Sequence, residues 1–109
     1  MITTTQRSLA NLRDRGYRPW VVEQWNPYAH VKKDLYGFLD IVALHKEKSG
    51  LLGIQTTTAS NLAARITKAE GLEAFRWWIA AGNSVEFHGW HKVNGKWVAT
   101  IREFAFFEL

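Results

Sequence analysis

The sequence predicts an α/β protein in which a mixed β-sheet is flanked by a helix on each side. Three observations support this fold class. Short runs rich in β-branched and aromatic residues recur along the chain, a long stretch with helical apolar spacing separates them, and an Asn-Gly pair near the C-terminus is typical of a tight hairpin. The predicted order is α-β-β-β-α-β-β, and the length of 109 residues suits a single domain over positions 1–109.

The first predicted elements are a helix over residues 3–15 and a strand over residues 18–25. Threonines at the start of the helix offer an N-cap, and Gly16 suits the position after its last turn. The strand segment RPWVVEQW is rich in β-forming residues and stops before an Asn-Pro pair. The polar, basic stretch NPYAHVKKD, residues 26–34, predicts a loop.

Residues 36–45 and 51–57 are predicted to form an antiparallel hairpin closed by the turn KEKSG. If the turn is centred between its second and third residues, positions that sum to 95 face each other. Asp40 then lies opposite Gln55, and side chains directly across an antiparallel pair are ~5 Å apart. Because side chains alternate between faces, Thr57 shares the face of Gln55. The hairpin therefore gathers a carboxylate, an amide and a hydroxyl on one surface.

A long helix over residues 59–82 follows, because apolar residues recur at helical spacing and Gly82 suits its end. Gly71 is a position at which this helix can bend. Two strands, 84–93 and 96–106, complete the chain, joined by Asn94-Gly95.

The composition excludes some kinds of site and favours one class of partner. The absence of Cys excludes disulfides and Cys-based zinc sites, and a net charge of +4 favours an anionic partner. The N-terminus has no apolar run of signal-peptide length, and no segment reaches the ~20 apolar residues of a membrane span. We therefore expect a cytoplasmic protein with no membrane partner.

Asp40 and Gln55, with the backbone carbonyl of Thr56, predict an oxygen-rich site for a hard cation such as Mg²⁺ or Mn²⁺. Such an ion can activate a water molecule and stabilise charge on a phosphodiester. The alternative is structural, since an Asp at the mouth of a hairpin often only accepts hydrogen bonds from backbone N–H groups.

The strands GFLDIVAL and LLGIQTT, followed by the helical segment SNLAARITK, resemble the PD-(D/E)XK nuclease superfamily. The likeness covers residues 5–90 and is nearest to Holliday-junction-resolvase-like and small phage nucleases. It implies a restriction-endonuclease-like αβββαβ core with an extra C-terminal strand. It also implies a Mg²⁺- or Mn²⁺-dependent DNA endonuclease, with branched or junction DNA as one expected substrate, located in the host cytoplasm if the gene is a phage gene. The alternative is a non-catalytic nucleic-acid-binding domain on the same fold.

The resemblance assigns roles to individual residues of this chain. Asp40 matches the metal-binding Asp of the superfamily. Gln55 stands where the superfamily usually has Glu or Asp, and Thr57 where it usually has Lys. The missing positive charge is expected from the following helix, where Arg65 and Lys68 are the candidates because they share a helix face.

Two further acidic positions can supply the carboxylate that Gln55 lacks. Resolvase-like members place a Glu in the first helix, where this chain has Gln6. Glu23 on the first strand is then a catalytic candidate, although an outward strand residue is the alternative. Asp34 is a second candidate, although an ion pair with a neighbouring lysine explains it equally well.

Nucleic-acid contacts are expected from basic residues near these positions. The loop carries His30, Lys32 and Lys33, which suit phosphate contacts, and Gln6 and Arg7 are also expected to contact nucleic acid.

The histidine and tryptophan residues in the C-terminal third of the chain also carry predictions about burial and contacts. His88 and His91 do not match a zinc spacing and are expected on an ordinary strand surface. Trp77 and Trp78 point about 100° apart on a helix, so one is expected in the core and the other at a dimer face or against a base. Because 109 residues offer little surface to surround a duplex, a homodimer is expected.

Overall fold

The computed structural model describes residues 1–106. Three helices and seven strands form, with a short 3-10 turn before the second helix. Their bounds are α1 (Thr4–Asp14), β1 (Arg18–Val21), β2 (Gln24–Asn26), β3 (Val31–Lys33), β4 (Ile41–Leu44), β5 (Leu52–Thr58), the 3-10 turn (Ala59–Asn61), α2 (Leu62–Glu70), α3 (Glu73–Ala80), β6 (Ser84–Val93) and β7 (Lys96–Phe104).

The predicted mixed sheet flanked by helices is confirmed. Five strands pair in the order β1-β4-β5-β6-β7, and β2 pairs with β3 in a separate ribbon. Only the β5–β6 pair within the five-stranded sheet is parallel, because the chain crosses over through α2 and α3 between these strands. Among the described residues, no helix is long and apolar enough to cross a membrane.

The predicted hairpin register is confirmed, but the first strand is shorter than expected. Ile41 pairs with Ile54, so facing residues sum to 95, and the Asp40 N–H donates to the Ile54 carbonyl at 2.9 Å. Residues 36–40, predicted to be strand, instead belong to a tight turn in which Leu35 and Leu39 exchange backbone hydrogen bonds of 2.9 and 3.0 Å.

The predicted strand over residues 18–25 is wrong in extent, because it is interrupted. The N–H groups of Val22 and Glu23 both donate to the Asp40 carbonyl, at 2.9 and 3.3 Å. Two residues opposite one residue make a β-bulge, which bends the strand away from its partner. Beyond this bulge the chain leaves the sheet, and the predicted loop over 26–34 contains the turn and second strand of the β2–β3 ribbon.

The predicted helix over residues 59–82 is also interrupted. Gly71 ends α2, and Leu72 adopts an extended backbone conformation (φ −91°, ψ 133°) before α3 begins. The break redirects the chain so that α3 packs on the sheet with Phe75 and Ile79 buried.

The helices divide between the two faces of the sheet. On one face, Leu12 of α1 packs with Ile41 and Ile54. On the other face, residues of α2 and α3 pack with the sheet in a second core cluster that includes Phe75 and Phe87. Ile41 and Ile54 face each other and point to the first face. Because side chains alternate along a strand, Asp40 and Gln55 face each other on the second face.

Candidate metal centre

A tight turn brings Asp34 to Asp40. The segment DLYGFLD has one Asp at each end, and the Leu35–Leu39 pair makes the two Asp residues the next facing positions in an antiparallel pair. Tyr36 and Gly37 in the turn both have positive φ, 55° and 82°. The turn thus places two carboxylates on neighbouring chain segments at the mouth of the β4–β5 hairpin.

Glu23 completes an acidic cluster. One carboxylate oxygen from each of Glu23, Asp34 and Asp40 lies within 4.8 Å of the others. The β-bulge explains the position of Glu23, since its N–H is anchored on the Asp40 carbonyl. Asp40 is buried, whereas Glu23 and Asp34 are partly exposed, so the cluster opens to solvent on one side.

The environment of Asp40 disfavours its charge. Burial raises the pKa of Asp40 to about 8, and the neighbouring carboxylates of Asp34 and Glu23 add to the shift. The Thr56 N–H opposes it by donating to Asp40 Oδ2 at 2.9 Å. Three carboxylates this close repel one another, and a bound cation would relieve that repulsion.

The donor set fits a hard divalent cation. Ligand oxygens around an ion bound at about 2.1 Å are roughly 3 to 4 Å apart, so the cluster needs only to contract slightly. Gln55 lies beside it, with Nε2 donating to Asp34 Oδ2 at 3.4 Å. Asp34 was the weaker acidic candidate from the sequence, and the pair of Asp residues flanking a Gly-containing turn is the signal that points to it.

Lysines lie beside two members of the acidic cluster, Glu23 and Asp34. Lys32 Nζ lies 3.8 Å from Glu23 Oε1, whereas the sequence left open a pairing of Lys32 with Asp34. A cleft of about 470 Å³ lies beside Asp34, and we call it the basic cleft; it is lined by Lys32, Lys33, Asp34, Tyr36, Gly37 and Lys68. Anionic oxygens of a ligand would therefore meet three ammonium groups next to the carboxylates.

The other predicted residues take different positions. Lys68 borders the basic cleft, whereas Arg65 is exposed on α2 and does not line it. Thr57 is buried on β5, beside Gly89 of β6. His30 lies in the exposed turn between β2 and β3, 6.2 Å from the Trp25 ring.

Gln6 and Arg7 are placed apart from the basic cleft. They lie on α1, which packs on the opposite face of the sheet. Gln6 closes the helix N-cap with Thr3, through bonds of 2.9 and 3.1 Å. The Arg7 guanidinium stacks 4.1 Å from the Trp97 ring centroid. Their assignment to nucleic-acid contacts stays a prediction.

A buried polar network under α1 supports the strand that holds Asp40. Ser8 Oγ lies 2.8 Å from both Thr56 Oγ1 and His88 Nδ1, and His88 Nε2 lies 2.8 Å from Glu86 Oε1. Arg15 is the last member of this hydrogen-bond network and donates to both Glu86 carboxylate oxygens, at 2.9 and 2.6 Å. The network thus links α1 to the residue whose N–H fixes the Asp40 carboxylate.

The expectation that His88 lies on an ordinary strand surface is wrong. His88 is fully buried, because β6 is an interior strand of the sheet and α1 covers this side of it. Burial opposes ionisation of Glu86, but hydrogen bonds from Arg15 and His88 outweigh it and lower the pKa of Glu86 to about 2. The Glu-x-His alternation in β6 placed both side chains on one face, but nothing local indicated Ser8 as their partner.

Comparison of the chain with protein-family models, curated proteins and solved structures gave no match.

The raised pKa of Asp40 predicts an unusual pH dependence of stability. Between pH 4 and pH 8 the folded protein holds a proton that the unfolded chain releases, because the pKa of Asp40 rises from 3.8 to about 8 on folding. The free energy of unfolding should therefore fall as pH rises through this window, with a limiting slope of about 1.4 kcal/mol per pH unit.

Urea unfolding of the metal-free protein at several pH values, with Asp40→Asn alongside, measures this contribution. Asn keeps an oxygen for the Thr56 N–H but does not titrate, so the difference in stability between the two proteins should shift with pH in favour of the variant. Parallel pH profiles would contradict the assignment of a raised pKa to Asp40.

Proposed function

We propose that the protein is a metal-dependent nuclease that hydrolyses phosphodiester bonds in DNA. The observation that carries this proposal is the Glu23, Asp34 and Asp40 cluster opening beside a cleft lined by lysines. Metal-dependent phosphodiester hydrolysis requires carboxylates that bind a hard cation and, next to them, positive groups that bind phosphate.

The element order supports the proposal. Without the β2–β3 ribbon, the chain follows α1, three antiparallel strands β1, β4 and β5, a helical crossover, and β6 parallel to β5. This sequence of elements agrees with the αβββαβ core of the PD-(D/E)XK superfamily, which the strands around Asp40 and Gln55 resemble. We propose membership of that superfamily on these two grounds.

Different residues bind the metal and the phosphate in this proposal. Asp40 would be the central ligand, with Asp34 or Glu23 supplying the carboxylate that the superfamily position at Gln55 lacks, and with Gln55 and the Thr56 carbonyl as further oxygen donors. A bound Mg²⁺ or Mn²⁺ would supply an activated water and stabilise negative charge on the phosphate.

Lysines of the basic cleft replace the missing cation at position 57. Lys32, Lys33 and Lys68 line this cleft together with Asp34, so a phosphate that enters it lies close to the acidic cluster. They hold the phosphate in place and balance its charge. Thr57 is buried and neutral, and its part is to pack β5 against β6.

One observation favours a second function, a non-catalytic nucleic-acid-binding domain. Gln55 is neutral and directs its amide nitrogen at Asp34, an arrangement that satisfies the carboxylate without a metal. In that case the basic cleft binds phosphate and the acidic cluster is structural.

A cleavage assay distinguishes the two functions. Labelled single-stranded, duplex, flap and four-way-junction DNA would be incubated with purified protein and Mg²⁺, Mn²⁺, Ca²⁺ or EDTA. The nuclease proposal predicts cleavage with Mg²⁺ or Mn²⁺ that EDTA abolishes. Retained DNA binding without cleavage in any of these conditions would contradict it and support the binding domain.

Two basic residues on α2 provide a matched test of the cleft. Lys68 lines the basic cleft and Arg65 does not, although both are exposed on the same helix. Lys68→Ala should weaken DNA binding by about three- to tenfold and reduce the slope of log affinity against log salt by about 1.

The control, Arg65→Ala, should change both quantities less. Fluorescence anisotropy over a salt series measures them. Equal effects of the two substitutions would indicate a diffuse electrostatic surface and would contradict binding in the cleft.

A further inference from the structure

A second surface of the protein differs from the acidic cluster, because it is apolar and exposed to solvent. Arg18 pairs with Leu44 and Trp20 with Val42, so these four side chains share one face of the β1–β4 edge. On this side of the sheet α2 and α3 pack mainly over β6, and Trp20 and Leu44 on β1 and β4 stay largely exposed. We call this surface the apolar face; its side chains are Trp20, Tyr36, Val42, Leu44, Leu51, Trp77 and Trp78.

Four large side chains of the apolar face are strongly exposed. Trp20 is 77% exposed, Trp77 69%, Tyr36 62% and Leu44 57%. Aromatic side chains bury roughly 150–250 Å² each, so the three aromatics alone expose on the order of 400 Å². A standard interface buries about 800 Å² per partner, with an apolar centre and a polar rim. The exposed area therefore suits the centre of such an interface.

The apolar face carries both exposed indoles and adjoining clefts. Two adjoining clefts of about 570 and 530 Å³ share Tyr36, Leu51 and Trp78 in their walls. The exposed indoles of Trp20 and Trp77 border these same clefts, so one surface carries both protruding side chains and space to receive them. A two-fold symmetric interface requires both on the same patch, because each copy presents the same surface to the other.

The two clefts of the apolar face carry opposite charges. Arg18 lines one cleft and Glu73 lines the other. If the two-fold axis runs across the line joining these residues, Arg18 of one copy meets Glu73 of the other. An axis along that line would bring like charges together, so charge complementarity selects the first orientation.

The backbone of Tyr36 supports a contact role for this face. Its φ of 55° is unfavourable for a bulky residue, and its ring is nevertheless exposed between the apolar face and the basic cleft. Pairing along the free edge of β1 is a weaker alternative, since Pro19 in that strand has no N–H to donate. The partner is therefore held by side chains rather than by an added strand.

We infer that a second copy of this chain covers the apolar face, in a two-fold symmetric dimer in which Trp20 and Trp77 fill the partner's clefts. Each Arg18 faces the partner subunit's Glu73. The dimer does not depend on the proposed nuclease activity, because its surface shares only Tyr36 with the basic cleft.

Sedimentation equilibrium over micromolar to near-millimolar protein tests the dimer. The wild type should show a dimer mass at the upper concentrations, and Trp77→Glu or Trp20→Glu should raise the dimer Kd at least about 30-fold, as expected for central interface residues. Trp25→Glu is the matched control, since Trp25 is 56% exposed on β2 outside the face. It should leave the Kd unchanged.

A charge exchange tests the orientation. Arg18→Glu and Glu73→Arg should each weaken the dimer, and the double variant should restore it. A wild type that is monomeric throughout the range would overturn the inference. It would equally be overturned if Trp77→Glu lowered DNA affinity and left the mass unchanged, because the face would then stack on bases. Failure of the double variant to restore the dimer would overturn the proposed pairing of Arg18 with Glu73.

Discussion

Replacing Asp40 by Asn should abolish metal-dependent cleavage while leaving the protein folded and more stable at pH 8. The substitution removes the central negative ligand of the proposed metal site. Metal ions contribute several kcal/mol of charge stabilisation to such reactions, so we expect a loss of about 10³-fold or more in cleavage rate. Stability should rise because Asn removes the cost of burying a charged carboxylate, which is the main cause of the raised pKa of Asp40, and also removes the repulsion from Asp34 and Glu23.

The opposite changes in activity and stability make this variant informative. Asn retains an oxygen to accept from the Thr56 N–H, which Ala would leave without a partner. Cleavage rate, DNA affinity and thermal unfolding would be measured on the same preparation. Asp14→Asn, an exposed carboxylate at the end of α1, is the control and should change none of them. An active Asp40→Asn protein would remove Asp40 from the mechanism.

Replacing Arg15 by Met should cause the largest loss of stability among the substitutions considered. Glu86 is 1% exposed and ionised, and Arg15 donates two of its hydrogen bonds. Breaking a buried ion pair by removing one partner costs about 3–5 kcal/mol, and the partial exposure of Arg15 reduces this to roughly 2–3 kcal/mol. The melting temperature should fall by about 10 °C.

The pH dependence identifies the mechanism of that loss. The pKa of Glu86 falls from 4.5 to about 2 on folding, so its contribution is present above pH 4.5 and is lost as pH falls towards 2. The gap in stability between wild type and Arg15→Met should therefore narrow in acid. Arg13→Met, an exposed residue on the same helix, should change stability by less than about 0.5 kcal/mol. A gap that is constant down to pH 2 would indicate lost packing rather than a lost ion pair.

The elements set by local sequence patterns could be predicted well. The Thr-rich N-cap and Gly16 bound α1, the Asn94-Gly95 pair closes the last hairpin with positive φ at both residues, and the β4–β5 register follows from its turn. Trp78 is buried and Trp77 is exposed, as expected for adjacent helix residues that point about 100° apart.

The features that were missed depend on contacts between distant residues. The bulge at Val22 and Glu23 exists because both N–H groups bond to the Asp40 carbonyl, seventeen or more positions along the chain. The Ser8–His88 contact spans 80 positions. Neither leaves a periodic signal, so the sequence indicated Asp40, Glu23 and Asp34 as separate candidates but did not predict that they form one cluster.

The location of a bound metal ion tests the central proposal most directly. Crystals grown with Mn²⁺ would be measured at the manganese absorption edge, where anomalous scattering marks the ion. If Asp40 binds the metal, a peak should lie about 2 Å from an Asp40 carboxylate oxygen, with Asp34 or Glu23 as a second ligand. At saturating Mn²⁺, no peak in contact with Asp40, or ordered Mn²⁺ only elsewhere on the protein, would contradict a metal centre at this site.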